Sequence, residues 1–171
     1  MKKWFCIVLS LLMAVSLSGC TAKAESGKAE IGSAVSEGLP VYYVKEADVG
    51  KVDVDLTPLS ITMLYSQIYN MCSDPQQYIG KRVKTVGTFS YVQMYDMNGQ
   101  PDPNAVYYIC TVTDTTACCQ SGLEFVLKGD PKYPEDYPKE NSVIMVVGEF
   151  QTYMEGTSMY CHLVDAQIIV K

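Results

Sequence analysis

The chain has 171 residues, 48% of them apolar, and a formal net charge of −6 at pH 7. A chain of this length can bury one sizeable core, so we expect a single folded domain. The acidic balance disfavours nucleic acid as a partner, because a phosphate backbone attracts basic surfaces.

The N-terminus has the layout of an export signal followed by a lipidation site. Lys2 and Lys3 give a positively charged start, residues 5–17 are apolar, and Leu17-Ser18-Gly19-Cys20 resembles a bacterial lipobox. The apolar run is too short to span a membrane comfortably. We therefore expect residues 1–19 to be a signal peptide and Cys20 to be acylated, which anchors the protein in the lipid bilayer on the extracytoplasmic face of the cell membrane. The alternative is an ordinary secretory signal with a chance cysteine.

The residues after the lipobox divide into a linker and a domain. Residues 20–38 are rich in Ala, Ser, Gly, Lys and Glu and show no apolar periodicity. This composition predicts a flexible tether between the membrane and the domain. The domain is expected to cover residues 39–171, and its first part, residues 39–55, is expected to be extended chain.

One helix is predicted over residues 57–72. Thr57 can cap its N-terminus, and Pro58 suits the first helical position, where the missing N–H costs nothing. The apolar residues that follow recur at spacings of three and four, which places them on one helix face: Ile61, Leu64, Tyr65, Ile68, Met71 and Cys72.

The rest of the domain changes to a strand-like period. Five strands are predicted, at residues 81–92, 105–114, 122–128, 142–153 and 159–170. Residues 96–104 have the composition of an exposed hairpin loop, and the proline-rich residues 129–141 cannot form regular structure. Gly87 lies where the first strand would bulge or coil. This order predicts a mainly β fold, a five-stranded OB-like Greek-key barrel with one N-terminal helix packed on it.

A resemblance to a protein family covers nearly the whole domain. It rests on the segments DVDLTPLSITMLYSQIYNM, YIGKRVKTVGTFS, TACCQSGLEFVLKGDPKYPEDYP and YCHLVDAQI. Together they resemble an uncharacterised family of exported lipoproteins, mostly from Gram-positive bacteria. The paired cysteines before a strand are more distantly similar to a soluble OB-like domain of predicted permeases. The resemblance implies the fold and the location, and it implies no activity.

Five cysteines remain after those of the signal and the lipobox, namely Cys72, Cys110, Cys118, Cys119 and Cys161. In an OB-like barrel the third and fifth strands pair in parallel, so their starts lie at the same end. On this topology Cys118 and Cys119 are expected near Cys161, His162 and Asp114.

Several interpretations of this cluster are open. Cys118 or Cys119 forms a disulfide with Cys161, or the thiolates bind zinc or copper together with His162. Alternation along the strand places His162 on the opposite face from Cys161, which counts against a shared metal. The remaining interpretations are simple packing of small apolar side chains and a thiol redox role.

No sequence motif completes a catalytic site. A histidine-dependent triad would have to use His162, no glycine-rich phosphate loop precedes a helix, and the Cys-x-x-Cys redox motif is missing. We therefore expect a non-enzymatic binding or accessory module of the cell envelope, without a cofactor unless it binds zinc or copper. The alternative functions are a Cys/His metal-binding lipoprotein that assists a transporter and a thiol redox protein. Its partner would be an envelope protein, a peptide or a glycan, held on a face with the aromatic residues Tyr91, Tyr95, Tyr107 and Tyr153.

Overall fold

The computed structural model describes residues 39–116 and 119–171. The expected signal peptide, the acylated Cys20, the tether and Cys118 lie outside these residues. The described residues contain one α-helix, α1 (Ile61–Ser73), and seven strands in one sheet, which confirms a mainly β fold. The strands are β1 (Tyr43–Lys45), β2 (Val54–Asp55), β3 (Arg82–Tyr95), β4 (Pro101–Thr113), β5 (Gln120–Leu127), β6 (Val143–Glu155) and β7 (Ser158–Val170). No helix of this part of the chain has the length and hydrophobicity needed to cross a membrane.

The five long strands pair in a cycle. Strand β3 is antiparallel to both β4 and β6, β4 is antiparallel to β5, and β6 is antiparallel to β7. Strands β5 and β7 pair in parallel, with Glu124 opposite His162, as expected for the third and fifth predicted strands. The short strands β1 and β2, which the sequence analysis did not separate from extended chain, add parallel pairings to β7 and β3. The prediction of five strands is thus corrected to seven.

The hairpin between β3 and β4 is tighter than predicted. Strand β3 runs to Tyr95, and β4 already begins at Pro101 rather than at residue 105. The Asp96 carboxylate accepts hydrogen bonds from the backbone N–H groups of Asn98 (2.8 Å) and Gln100 (2.9 Å), which closes the turn. Proline is tolerated as the first residue of a strand. Four of the nine residues of the predicted loop, 101–104, are therefore strand.

The N-cap of α1 lies three residues later than predicted. The Asp55 carboxylate accepts hydrogen bonds from the backbone N–H (2.9 Å) and hydroxyl (2.7 Å) of Thr57, and these bonds favour a turn over a helix. Ser60 is the actual N-cap: its backbone is extended, and its hydroxyl accepts from the N–H of Met63 at 3.4 Å. The predicted cap at Thr57 is wrong.

Helix α1 covers one side of the sheet core. Leu64, Ile68 and Met71 are buried in the same cluster as Phe89 and Phe125. They pack the helix against β4 and β5. Ile61, expected on this face, is 55% exposed because it lies at the first turn, beyond the edge of the core.

The proline-rich segment 129–141, all of it described, contains turns without a helix or strand. Its two tyrosines hold it on the sheet. The ring of Tyr137 stacks on Tyr108 with centroids 4.0 Å apart, and the ring of Tyr133 lies 5.0 Å from Tyr91. Aromatic packing therefore fixes a segment that has no backbone ladder of its own.

The same segment fastens the beginning of the described chain. The hydroxyl of Tyr42 donates to the Asp136 carboxylate, and that of Tyr43 donates to the Asp136 carbonyl at 3.1 Å. On the other side, the Ile168 N–H donates to the Tyr42 carbonyl at 2.9 Å. Strand β1 is thus held between β7 and the proline-rich segment.

Candidate functional site

A cavity of about 680 Å³ opens between the long strands, with lining residues from β3 to β7 and from the end of α1. Three of the four tyrosines expected on a ligand face line it: Tyr91, Tyr107 and Tyr153. Tyr95 is 64% exposed at the end of β3 and is not a lining residue. This volume is in the range of sites that bind small ligands or short peptide segments.

Glu124 is the most unusual polar residue of this cavity. It lies in β5 between the buried Leu123 and Phe125, so strand alternation turns its side chain to the opposite face. The hydroxyl of Tyr153 donates to its carboxylate at 2.6 Å. Partial burial raises the pKa of Glu124 above its ordinary value, although the bond from Tyr153 favours the ionised form. An ionised Glu124 would gain from a positively charged ligand.

A second carboxylate and tyrosine lie at the rim. The hydroxyl of Tyr107 in β4 donates to the exposed Glu155 carboxylate at the end of β6. This bond, with minor contributions from burial and from nearby charge, raises the pKa of Tyr107 to about 12. The cavity lining contains no lysine or arginine. Lys51 and Lys84 provide the positive charge in the ion pairs between described residues, and neither lysine lines the cavity.

Aromatic rings line up along the β6–β7 hairpin. Tyr153 lies opposite Tyr160 in the register, and their rings stack with centroids 5.6 Å apart. The ring of Tyr153 also contacts the ring of His162, with centroids 4.7 Å apart. We call the site formed by Tyr107, Tyr153, Tyr160, Glu124 and Glu155 the tyrosine–carboxylate cavity.

His162 supports this site from the side. It is half-buried and is not among the lining residues. Burial lowers its pKa below the ordinary value, which favours the neutral imidazole at neutral pH. His162 therefore packs against Tyr153 as a neutral ring beside the register partner Glu124.

The expected approach of Cys119 to Cys161 is not observed. Cys119 is exposed and lies just before the start of β5, whereas Cys161 is half-buried within β7. Glu124 of β5 pairs with His162 of β7. Cys119 lies five positions before Glu124, whereas Cys161 lies one position before His162. At about 3.3 Å per residue, the offset of four residues is on the order of 13 Å. The topology was right, but Cys161 lies well inside β7. A bridge through Cys118 stays a prediction.

Cys119 instead belongs to a local turn with Asp114. The Asp114 N–H donates to the Cys119 carbonyl at 3.0 Å, and the Cys119 N–H donates to the Asp114 carboxylate at 3.3 Å. Asp114 therefore lies near Cys119, as expected, and acts there as a turn residue.

The remaining cysteines divide into a packed residue and a pair. Cys110 is fully buried, and burial raises the pKa of its thiol to about 12, so it behaves as a small apolar side chain. The sulfur of Cys161 lies 4.0 Å from the carbonyl oxygen of Cys72, at the last turn of α1. The helical spacing places Cys72 on the apolar face of α1, and only the docking of α1 on the strands brings it to Cys161. Within residues 39–116 and 119–171, no group of three or more His, Cys, Asp or Glu side chains has an arrangement that could hold a metal ion.

Sequence reasoning selected the tyrosines but missed Glu124, Glu155 and Tyr160. The signal for Glu124 was available, because a single carboxylate inside the apolar run Leu123 to Leu127 is unusual for a strand with a buried face. Comparison with known protein families, curated proteins and solved structures gave no match to this chain.

Proposed function

We propose that the protein is a membrane-anchored extracytoplasmic lipoprotein whose domain is a five-stranded OB-like Greek-key barrel and acts as a non-enzymatic binding module. The cyclic pairing of β3, β4, β5, β7 and β6 supports the barrel, because parallel pairing of the third and fifth strands is what closes an OB-like sheet. The lipobox at Cys20 and the resemblance to exported lipoproteins support the location.

The ligand that best fits the tyrosine–carboxylate cavity is a peptide segment of an envelope protein with a lysine or arginine side chain. The carrying observation is the presence of two tyrosine-bonded carboxylates in a cavity without a basic lining residue. A cationic head group can form charge-assisted hydrogen bonds with Glu124 and Glu155. Aromatic rings of the cavity lining can add cation–π attraction to these bonds.

Binding can be tested on the full chain purified in detergent, by calorimetric titration with short Lys-containing peptides and with the same peptides acetylated at lysine. Charge-assisted bonds contribute about 1.5–3 kcal/mol, so acetylation and the Glu124→Gln variant are each expected to weaken binding about tenfold or more. Glu149→Gln is the matched control, since Glu149 is exposed on β6 and is not a lining residue.

The binding proposal fails if none of the peptides binds, or if acetylation and Glu124→Gln leave the affinity unchanged. Equal loss in Glu124→Gln and Glu149→Gln would also contradict it, because the effect would then come from net charge alone. Oligomers of glucosamine and of its N-acetyl form serve as a further arm. Tighter binding of the neutral glycan than of any peptide would replace the peptide with a sugar ligand.

The membrane attachment has its own test. Cells that express the wild type and the Cys20→Ser variant are fed a labelled fatty acid and then fractionated. We expect label and membrane association in the wild type and neither in the variant. Equal labelling of the two proteins would refute the lipidation site.

A further inference from the structure

Cys72 and Cys161 meet at one wall of the tyrosine–carboxylate cavity. Cys72 lies in the last turn of α1 and Cys161 in β7, and both are lining residues of the cavity. The Cys161 sulfur is 4.0 Å from the Cys72 carbonyl oxygen. Both side chains are half-buried, so a dissolved reagent can reach them from the cavity.

The two cysteines shift each other's acidity in opposite directions. The neighbouring Cys72 side chain lowers the pKa of Cys161, and the neighbouring Cys161 side chain raises the pKa of Cys72. Burial opposes the shift at Cys161 and adds to the shift at Cys72. The arrangement thus favours a Cys161 thiolate beside a Cys72 thiol. The thiolate is the form that attacks disulfides.

We propose that Cys72 and Cys161 are a disulfide-forming pair that fastens the C-terminal end of α1 to β7. The oxidant is a disulfide of the exporting compartment, either a low-molecular-weight disulfide or a thiol–disulfide oxidoreductase. The Cys161 thiolate attacks one sulfur of that disulfide and releases a thiolate. Cys72 then loses its proton, attacks the mixed disulfide at the Cys161 sulfur and releases the second thiolate. Two electrons pass from the cysteine pair to the oxidant, which leaves as two thiols. One of their protons comes from Cys72, and the other comes from the solvent, which had taken the proton of Cys161.

The other described cysteines are poorly placed for this reaction. Cys110 is fully buried with an inert thiol, and Cys119 is exposed at a different part of the sheet. The assignment rests on the docking of α1 and does not depend on the ligand proposed for the cavity. The bridge would fix the helix end as a permanent part of the cavity wall.

The test uses the full chain in detergent, equilibrated with a mixture of reduced and oxidised glutathione and then treated with a maleimide. Mass spectrometry of unreduced peptides is expected to find Cys72 linked to Cys161. The bridge closes a long loop, so the melting temperature of the oxidised protein should be roughly 10 °C higher than that of the reduced protein. Cys119→Ser is the matched control and should keep both the linked peptide and the shift.

Cys72→Ser and Cys161→Ser should each lose the linked peptide and the shift in melting temperature. The peptide analysis of the wild type stands by itself if a variant fails to fold. The proposal is overturned if Cys72 and Cys161 are both alkylated after equilibration with oxidised glutathione, if a glutathione adduct persists on Cys161, or if Cys161 is linked to Cys118 or Cys119.

Discussion

The hydroxyl of Thr85 offers a direct test of how the sheet interior is built. Thr85 lies in β3 opposite Val146 of β6 and is completely buried. Its Oγ1 atom has no hydrogen-bond partner among the described residues. A buried hydroxyl without a partner costs about 1–3 kcal/mol. Thr85→Val replaces the hydroxyl with a methyl group of similar size and keeps the β-branched shape that suits a strand.

We expect Thr85→Val to raise the free energy of unfolding by about 1–2 kcal/mol, which raises the melting temperature by roughly 3–6 °C. The measurement is urea and thermal unfolding followed by circular dichroism. Thr111→Val is the matched control because the Thr111 hydroxyl lies 2.6 Å from the hydroxyl of Ser90. The same chemical change there removes a hydrogen bond and should lower stability by about 1 kcal/mol.

The opposite signs of the two variants are the essential result. If Thr85→Val destabilises the protein as much as Thr111→Val, the Thr85 hydroxyl has a partner in solution, and the reasoning is refuted. A change in the urea dependence of the unfolding free energy, without a change in midpoint, would instead show that the substitution acts on the unfolded state.

Three further predictions concern charge and packing. Burial holds the pKa of Glu124 above its unfolded value of 4.5. The wild type should therefore lose stability relative to Glu124→Gln as the pH rises through the folded pKa. Thermal melts of the two proteins in parallel would contradict this prediction if the difference in melting temperature did not change with pH. The Tyr42 hydrogen bond holds the pKa of Asp136 below 3.8, so its stabilising contribution is present above that value and disappears as the pH falls through the folded pKa. Asp136→Asn should accordingly speed hydrogen exchange of the β1 amides at neutral pH, with exchange in β6 as the internal reference. A Cβ atom at Gly87 would come within 2.6 Å of the Thr111 carbonyl oxygen, so Gly87→Ala should lower the unfolding free energy by about 1–3 kcal/mol, and a neutral result would mean that β3 and β4 separate easily.

The strands were predictable because the chain changes from helical to strand-like spacing after the helix, and each of the five predicted segments overlaps an observed strand. The errors occur where one residue type serves two local structures. Thr57 has the residue type of a helix cap, but its N–H and hydroxyl donate to the carboxylate of Asp55, and these bonds place it in a turn. Strand β2 has two residues, too few for any period, and exists because β3 offers it a parallel partner.

The site was less predictable than the fold because it depends on register. The expected parallel pairing of β5 and β7 was right, yet the pairing of Glu124 with His162 removes Cys119 from Cys161. The contact between Cys72 and Cys161 requires the docked position of α1, which no local pattern contains. The tyrosines were easier to select, since an aromatic ring on the polar side of a strand is visible in the sequence itself.

The fastening of β1 has a mechanical consequence. If Cys20 is held in a bilayer and the cavity holds a ligand, tension between the two enters the described domain at Leu39 and passes along β1. Strand β1 runs parallel to β7, so a pull along its axis loads their hydrogen bonds together in shear instead of opening them one by one. Tyr42 and Tyr43 add side-chain bonds to Asp136 at the same place. The contacts of β1 therefore resist unfolding of the domain from its N-terminal end. A tethered protein can then transmit the force to its ligand while the domain stays folded.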